Sequence, residues 1–253
     1  MDFFENRDVI AKRNFADPGC RAAATAWHDA SRRFEYQYLM EWLGRPIIQD
    51  PQDICAIQEL IWRVQPDLIL ETGVARGGSL VLSASILAAI SMGEALADLP
   101  MRKREVLGVD IEIRPHNRVA IEGHPLAPMI RLIEGSSIAN EVVAKVRQRA
   151  ADFERVLVIL DSNHTAEHVF AELLAYSPLV GIGSAIFVLD TGIEYALVDS
   201  FKTKRSWGPG NSPLTAVNRF LETQEGKGFF KDQSIEERVL ITCAPEGLLM
   251  RRA

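Results

Sequence analysis

Cysteine is scarce. The three in this 253-residue chain, Cys20, Cys55 and Cys243, stand far apart, with no CxxC and no Cys/His spacing. That excludes a zinc-binding frame and a disulfide scaffold. It fits reduced thiols serving as small core residues, and a cytoplasmic location is expected. An excess of positive charge is also missing, for the formal net charge is −6. Nucleic-acid binding needs a concentrated basic face, so nucleic acid is not an expected partner. The one short basic run, "RKR" at Arg102 to Arg104, reads as a solvated turn. The most apolar window, "LVLSASILAAI", is too short and too serine-dotted to span a bilayer. The opening "MDFFENRD" puts acids where a secretory signal carries basic residues, and no apolar stretch follows. Stable membrane insertion is therefore not expected. Internal repeats, low-complexity tracts and the GxGxxG dinucleotide fingerprint are absent too.

What is present is the balance of an ordinary folded α/β protein, 47% hydrophobic and 25% charged. The chain to about Gly44 reads as helical, with Trp27, Ala30, Phe34 and Tyr38 making one apolar stripe. Asp50 and Pro51 then look like an N-cap and first helical position. Ile54, Ile57, Leu60, Ile61 and Val64 give the next helix its buried face. After Pro66 short β-like runs appear: "LILET", "VLGVDI", "IRLIEG", "VLVILD" and "AIFVLD". Runs this apolar suit parallel strands covered on both faces. Helices are expected from Ser79 to about Ala97, from Asn140 to Ala151 and from Ala166 to Tyr176. "RVLITCA" and "GLLMRR", flanking "PEG", read as an antiparallel hairpin. The predicted fold is therefore α/β. Residues 1–50 form an N-terminal helical extension, and residues 51–253 a doubly wound, mostly parallel, Rossmann-like sheet with an antiparallel C-terminal hairpin.

Ligands of such sheets bind beyond the carboxyl ends of the strands. Here every predicted parallel strand ends in or beside an acid: Glu71, Asp110, Glu134, Asp161 and Asp190. Like charges crowded on one rim raise each other's pKa, and a cationic ligand or a metal ion relieves that conflict. The loop after the first strand, "ETGVARGGS", carries Gly73, Ala75, Gly77, Gly78 and Ser79 behind Glu71. An acid there is unfavourable beside a pyrophosphate. It is favourable beside a ligand with an ammonium and a sulfonium, such as S-adenosylmethionine. Asp110 then has the position to accept hydrogen bonds from ribose hydroxyls.

The strings "LILETGVARGGSL", "GVDIEIRPHNR", "IEGSS", "LDSNHT" and "WGPGNSP" resemble the cephalosporin hydroxylase / rhamnosyl O-methyltransferase family, from about Tyr36 to the C-terminus. The resemblance implies the class I methyltransferase fold, S-adenosylmethionine as cofactor and a homo-oligomer. It places Glu71, Gly73, Gly77, Gly78 and Ser79 around the methionine part, Asp110 on the ribose, and Gly135, Ser136 and Ser137 beside the adenine. It also implies Mg²⁺ held by Asp161 and Asp190. Similar enzymes place a further acid before the second of these, where this chain has Leu189.

Methyl transfer to oxygen needs a base, and His164, three residues after Asp161, is the candidate. His116 and Asn117 read as a structural loop after Pro115. Arg45 is open between reaching the methionine carboxylate and bracing a turn. Residues 191–212 are long and aperiodic, and loops of that kind are commonly lids. Trp207 and Asn211 are its expected contacts to the acceptor. The activity expected is O-methyl transfer to a hydroxyl of a sugar or small natural product. Rival readings are a non-catalytic S-adenosylmethionine-binding accessory subunit, a nicotinamide-dependent oxidoreductase, and an iron hydroxylase. The missing GxGxxG opposes the second, and the lack of an HxD or HxE pair opposes the third.

Overall fold

The computed structural model describes residues 2–196 and 205–252. Two helices open the chain, α1 (Phe3–Ala16) and α2 (Pro18–Arg33). Each starts from an aspartate cap, since Asp2 accepts from the Glu5 N–H and Asp17 from the Cys20 N–H. The helical reading fails beyond Arg33. The chain there forms a small antiparallel pair, β1 (Met40–Trp42) and β2 (Arg45–Ile47), turning through Leu43 and Gly44, both at positive φ. Trp27, Phe34 and Tyr38 are exposed, so the expected stripe is not buried within the chain.

α3 (Pro51–Val64) buries Ile57, Leu60, Ile61 and Val64 as its spacing predicted. Asp50 stands at the N-cap position, but its side chain caps nothing and turns elsewhere. The strands β3 (Leu68–Thr72), β4 (Glu105–Asp110), β5 (Ile130–Glu134), β6 (Val156–Leu160) and β7 (Ala185–Val188) are mutually parallel. Between them run α4 (Gly78–Leu96), α5 (Pro115–Glu122), α6 (Asn140–Ala150) and α7 (Ala166–Tyr176). After β7 come α8 (Pro213–Leu221), β8 (Phe229–Lys231), α9 (Glu236–Val239) and β9 (Leu248–Arg251).

The seven-stranded sheet has the order β5-β4-β3-β6-β7-β9-β8, with β9 antiparallel to both neighbours. The antiparallel pair is present, but its first strand is Phe229–Lys231. The "RVLITCA" segment instead contains the end of α9 and irregular chain. The strands are apolar on both faces because both are covered. Leu157 and Ile159 pack in the core layer with Leu60 and Leu87, while Val156, Val158 and Leu160 pack in the opposite layer with Val146, Leu173 and Phe220. By length and composition α4 would pass for a membrane span, yet its Leu80, Leu82, Leu87 and Ile90 are buried in the core. Cys243 is buried as expected; Cys20 and Cys55 are exposed, against the core reading.

Candidate active site

From β3 the sheet winds outward through β4 and β5, then returns to place β6 on the other side of β3. The crevice at such a switch point is where doubly wound sheets bind ligands. It opens here between the loop after β3 and the loop after β6, as a cavity of about 300 Å³.

The glycine loop is shaped mainly by close approach of the protein's own backbone. Gly73 has φ +94, and a Cβ on it would lie 2.0 Å from the Asp161 carbonyl oxygen. At Gly78 a Cβ would lie 2.3 Å from the Pro46 carbonyl oxygen. Two side chains brace the loop from outside. The Arg45 guanidinium donates to the Arg76 carbonyl at 3.1 and 2.5 Å, and the buried Asn117 donates to the Ala75 carbonyl at 3.0 Å. Arg45 is thus a brace. Asn117 is structural as expected, although it sits on α5 and not in a loop, because Pro115 opens the helix at its first turn.

Glu71 is buried and accepts a hydrogen bond from the Ser79 hydroxyl, while its other oxygen has no partner among the described residues. Burial pushes its pKa up to about 7, with Ser79 pulling the other way. In the crevice itself, Asp161, His164 and Asp190 present one ligand atom each, all within 4.8 Å of one another. His164 Nε2 lies 3.5 Å from Asp190 Oδ2. Burial, then the charges of Asp190 and Glu71, hold Asp161 well above the usual carboxylate range. Gln49 donates to Asp161 Oδ2 at 3.2 Å. Leu189, by contrast, packs into the core. The two carboxylates suit a hard divalent cation, with the imidazole beside them free to take a proton.

Several contributors were not visible in the sequence. Arg32, from α2, reaches into the same cavity, with Nη2 3.8 Å from Asp190 Oδ1. Burial works against its charge, but Asp190, Asp50 and Asp53 outweigh that and raise its pKa. His28 accepts from Arg32 Nε at 3.0 Å. Burial, then the Arg32 charge, lowers its pKa to about 4, so it is neutral. Asp50, the failed cap, lies 3.8 Å from His28. A lone arginine on an amphipathic helix carries no sequence signal that separates it from a solvated one.

Other expected residues sit elsewhere. Asp110 lies at the strand end, but Oδ2 accepts from the Val74 and Ala75 N–H groups at 2.8 and 3.1 Å, binding the glycine loop to β4. Glu134 pairs with Arg118 at 2.9 Å, outside the cavity. Gly135 adopts φ +142, and its N–H donates to the Asp110 carbonyl. Ser136 accepts the Ala139 N–H on its carbonyl, and the Ser137 hydroxyl meets His168 at 3.0 Å. These three residues adjoin Asp110 but do not line the cavity.

Of the predicted lid, residues 197–204 lie outside those described. Its flanks are tied together by Glu194, which accepts from Ser212 Oγ at 2.5 Å, Thr215 Oγ1 at 2.8 Å and the Gly210 N–H at 2.9 Å. Trp207 lines the cavity with its ring edge-on to His164, centroids 5.4 Å apart. Asn211 does not line it. Both ends of its amide are used, Oδ1 accepting from the Ala166 N–H and Nδ2 donating to the Ser206 carbonyl.

The Rhamnosyl O-methyltransferase/CmcI family matches residues 34–252. The rhamnosyl O-methyltransferase of Mycobacterium leprae (strain TN) is 25% identical over 213 residues, 83% of this chain and 82% of that one. Its counterpart in Mycobacterium tuberculosis (strain ATCC 25618 / H37Rv) is 26% identical over 212 residues, 83% and 77% of the two chains. Among solved structures, apo CmcI superposes with a TM-score of 0.56 at 17% identity, over 85% of this chain and 77% of that one. A CmcI structure with Mg and SAM gives 0.56 at 16%, over 85% and 78%. These likenesses establish the fold. A doubly wound sheet with its acids gathered at the switch point, together with a match spanning nearly the whole chain, makes this protein a member of the Rhamnosyl O-methyltransferase/CmcI family.

Proposed function

We propose that the protein is an S-adenosylmethionine-dependent O-methyltransferase acting on a hydroxyl of a sugar or sugar-bearing natural product. The observation that carries this reading is the Asp161–His164–Asp190 cluster lining the glycine-loop crevice, with the half-satisfied Glu71 carboxylate buried behind Ser79, which lines it too. Acids gathered at this crevice, with the pKa values of Glu71 and Asp161 raised by burial, favour a donor whose ammonium and sulfonium would stabilise their ionised forms. A divalent cation on Asp161 and Asp190 would lower the pKa of a hydroxyl bound beside it. Mg²⁺ prefers oxygen donors, which leaves His164 as the base.

In the reaction, a lone pair of the acceptor oxygen forms the new C–O bond. The C–S bond breaks with its electron pair going to sulfur, and the hydroxyl proton passes to His164. The chain's contribution is largely positional: holding the reactants in line is worth about 7–11 kcal/mol. Glu71 and the glycine loop orient the donor, Trp207 packs the edge of His164, and Arg32 holds Asp190. CmcI has been solved with SAH and with Mg and SAM, and the mycobacterial relatives are rhamnosyl O-methyltransferases; both agree with this reading.

The test is transfer of a labelled methyl group from S-adenosylmethionine to a panel of glycosides, before and after chelation. The expected result is product that disappears with chelator and returns with Mg²⁺. S-adenosylmethionine binding without transfer to any glycoside would favour the accessory-subunit reading, which Leu189 alone supports.

A further inference from the structure

Each carboxylate of the cluster is met by a side chain from outside the parallel sheet. Gln49, buried in the link between β2 and α3, donates from Nε2 to Asp161 Oδ2 at 3.2 Å. Its Oε1 faces the Cys243 thiol at 4.0 Å, so the amide is oriented from both ends. At the other carboxylate, Arg32 Nη2 lies 3.8 Å from Asp190 Oδ1. That guanidinium is steadied one helical turn back, where His28 accepts from Arg32 Nε at 3.0 Å. One oxygen of each acid is thereby engaged. The other two are Asp161 Oδ1 and Asp190 Oδ2, the latter 3.5 Å from His164 Nε2.

The number of oxygens each acid can give decides which ion the pair suits. Ca²⁺ gathers about six to eight oxygens in a flexible shell and commonly takes both from one carboxylate. Mg²⁺ is smaller, demands near-octahedral order, and binds through one or two carboxylates while keeping several waters. Two-oxygen binding at Asp161 would intrude on the Gln49 hydrogen bond. At Asp190 it would bring the ion against the Arg32 guanidinium, where like charges repel. The position before Asp190 adds no oxygen, since Leu189 packs into the core.

We propose that Gln49 and Arg32 are positioning residues that hold Asp161 and Asp190 to one oxygen each and thereby make the site select Mg²⁺ over Ca²⁺. The inference rests on the metal part of the methyltransferase reading and adds the residues that set the choice of ion.

The experiment titrates the full chain, freed of metal by chelation and dialysis and then saturated with S-adenosylhomocysteine, with MgCl₂ and with CaCl₂ in separate calorimetric runs. The wild type is expected to bind Mg²⁺ at least as tightly as Ca²⁺. Gln49→Met and Arg32→Met, which keep an unbranched chain and remove the donor, are each expected to move the ratio of the two affinities about tenfold toward Ca²⁺. Loss of the Arg32 charge tightens both ions together, so the ratio and not either affinity is the readout. The two variants stand on different elements, and circular dichroism identifies the folded ones; where a variant does not fold, the other variant and the wild-type preference decide. A wild type that prefers Ca²⁺, or a ratio unmoved in the folded variants, overturns this inference and leaves the methyl-transfer reading standing. A wild type that binds S-adenosylhomocysteine but neither ion overturns it together with the metal part of that reading. Absence of S-adenosylhomocysteine binding in the wild type instead sinks the parent reading and the inference built on it.

Discussion

Single residues carry much of the account's electrostatics. Asp53 is fully buried, accepting from the Thr242 hydroxyl at 2.5 Å and the Cys243 N–H at 2.8 Å. Burial still raises its pKa from 3.8 to about 6. The folded chain therefore holds this proton more tightly than the unfolded one. Its contribution is most favourable below pH 3.8 and declines by about 3 kcal/mol as pH rises through 6. Urea unfolding should show Asp53→Asn gaining on the wild type between those pH values, whereas a gap independent of pH contradicts the assignment. His164 is tested through the chemical step. His164→Gln should lower kcat by about 10²–10⁴ while leaving S-adenosylhomocysteine affinity intact, measured by steady-state kinetics and calorimetry. Gly73→Ala meets both a positive φ and the Asp161 backbone, so thermal or urea denaturation should register a loss above about 3 kcal/mol.

At the scale of elements, the glycine loop is held by parts far away in the chain. β2 contributes the Gly78 contact, α5 contributes Asn117, and Asp110 at the end of β4 ties the loop's backbone N–H groups. Asn117→Ala leaves the Ala75 carbonyl without that donor and should weaken S-adenosylmethionine binding about tenfold, read by calorimetry, with the fold retained in circular dichroism. The parallel strands and the helices α3, α4, α6 and α7 were legible because their apolar periodicity is imposed by burial in two layers. The pairs β1–β2 and β8–β9 include strands of three residues, too short for any periodicity to show. "RVLITCA" misled because its apolar residues pack beside the sheet without joining it. α5 was missed because Pro115, read as a turn, sits at a helix start, where its missing N–H costs nothing.

Across the whole molecule, the topology brings distant acids together. Glu71, Asp161 and Asp190 meet because β3, β6 and β7 are neighbours in the sheet, and the strand-end pattern announced this. The pattern could not reveal which acids would be satisfied internally, as Asp110 and Glu134 are, nor that α2 would fold back to place Arg32 beside Asp190. The central claim is that the remaining uncompensated charge receives a positively charged methyl donor. Calorimetric titration of the full chain with S-adenosylmethionine and, separately, with NAD⁺, with and without Mg²⁺, tests it most directly. The account predicts saturable binding of S-adenosylmethionine, lost in Glu71→Lys, and none of NAD⁺; binding of NAD⁺ with no heat from S-adenosylmethionine would contradict it.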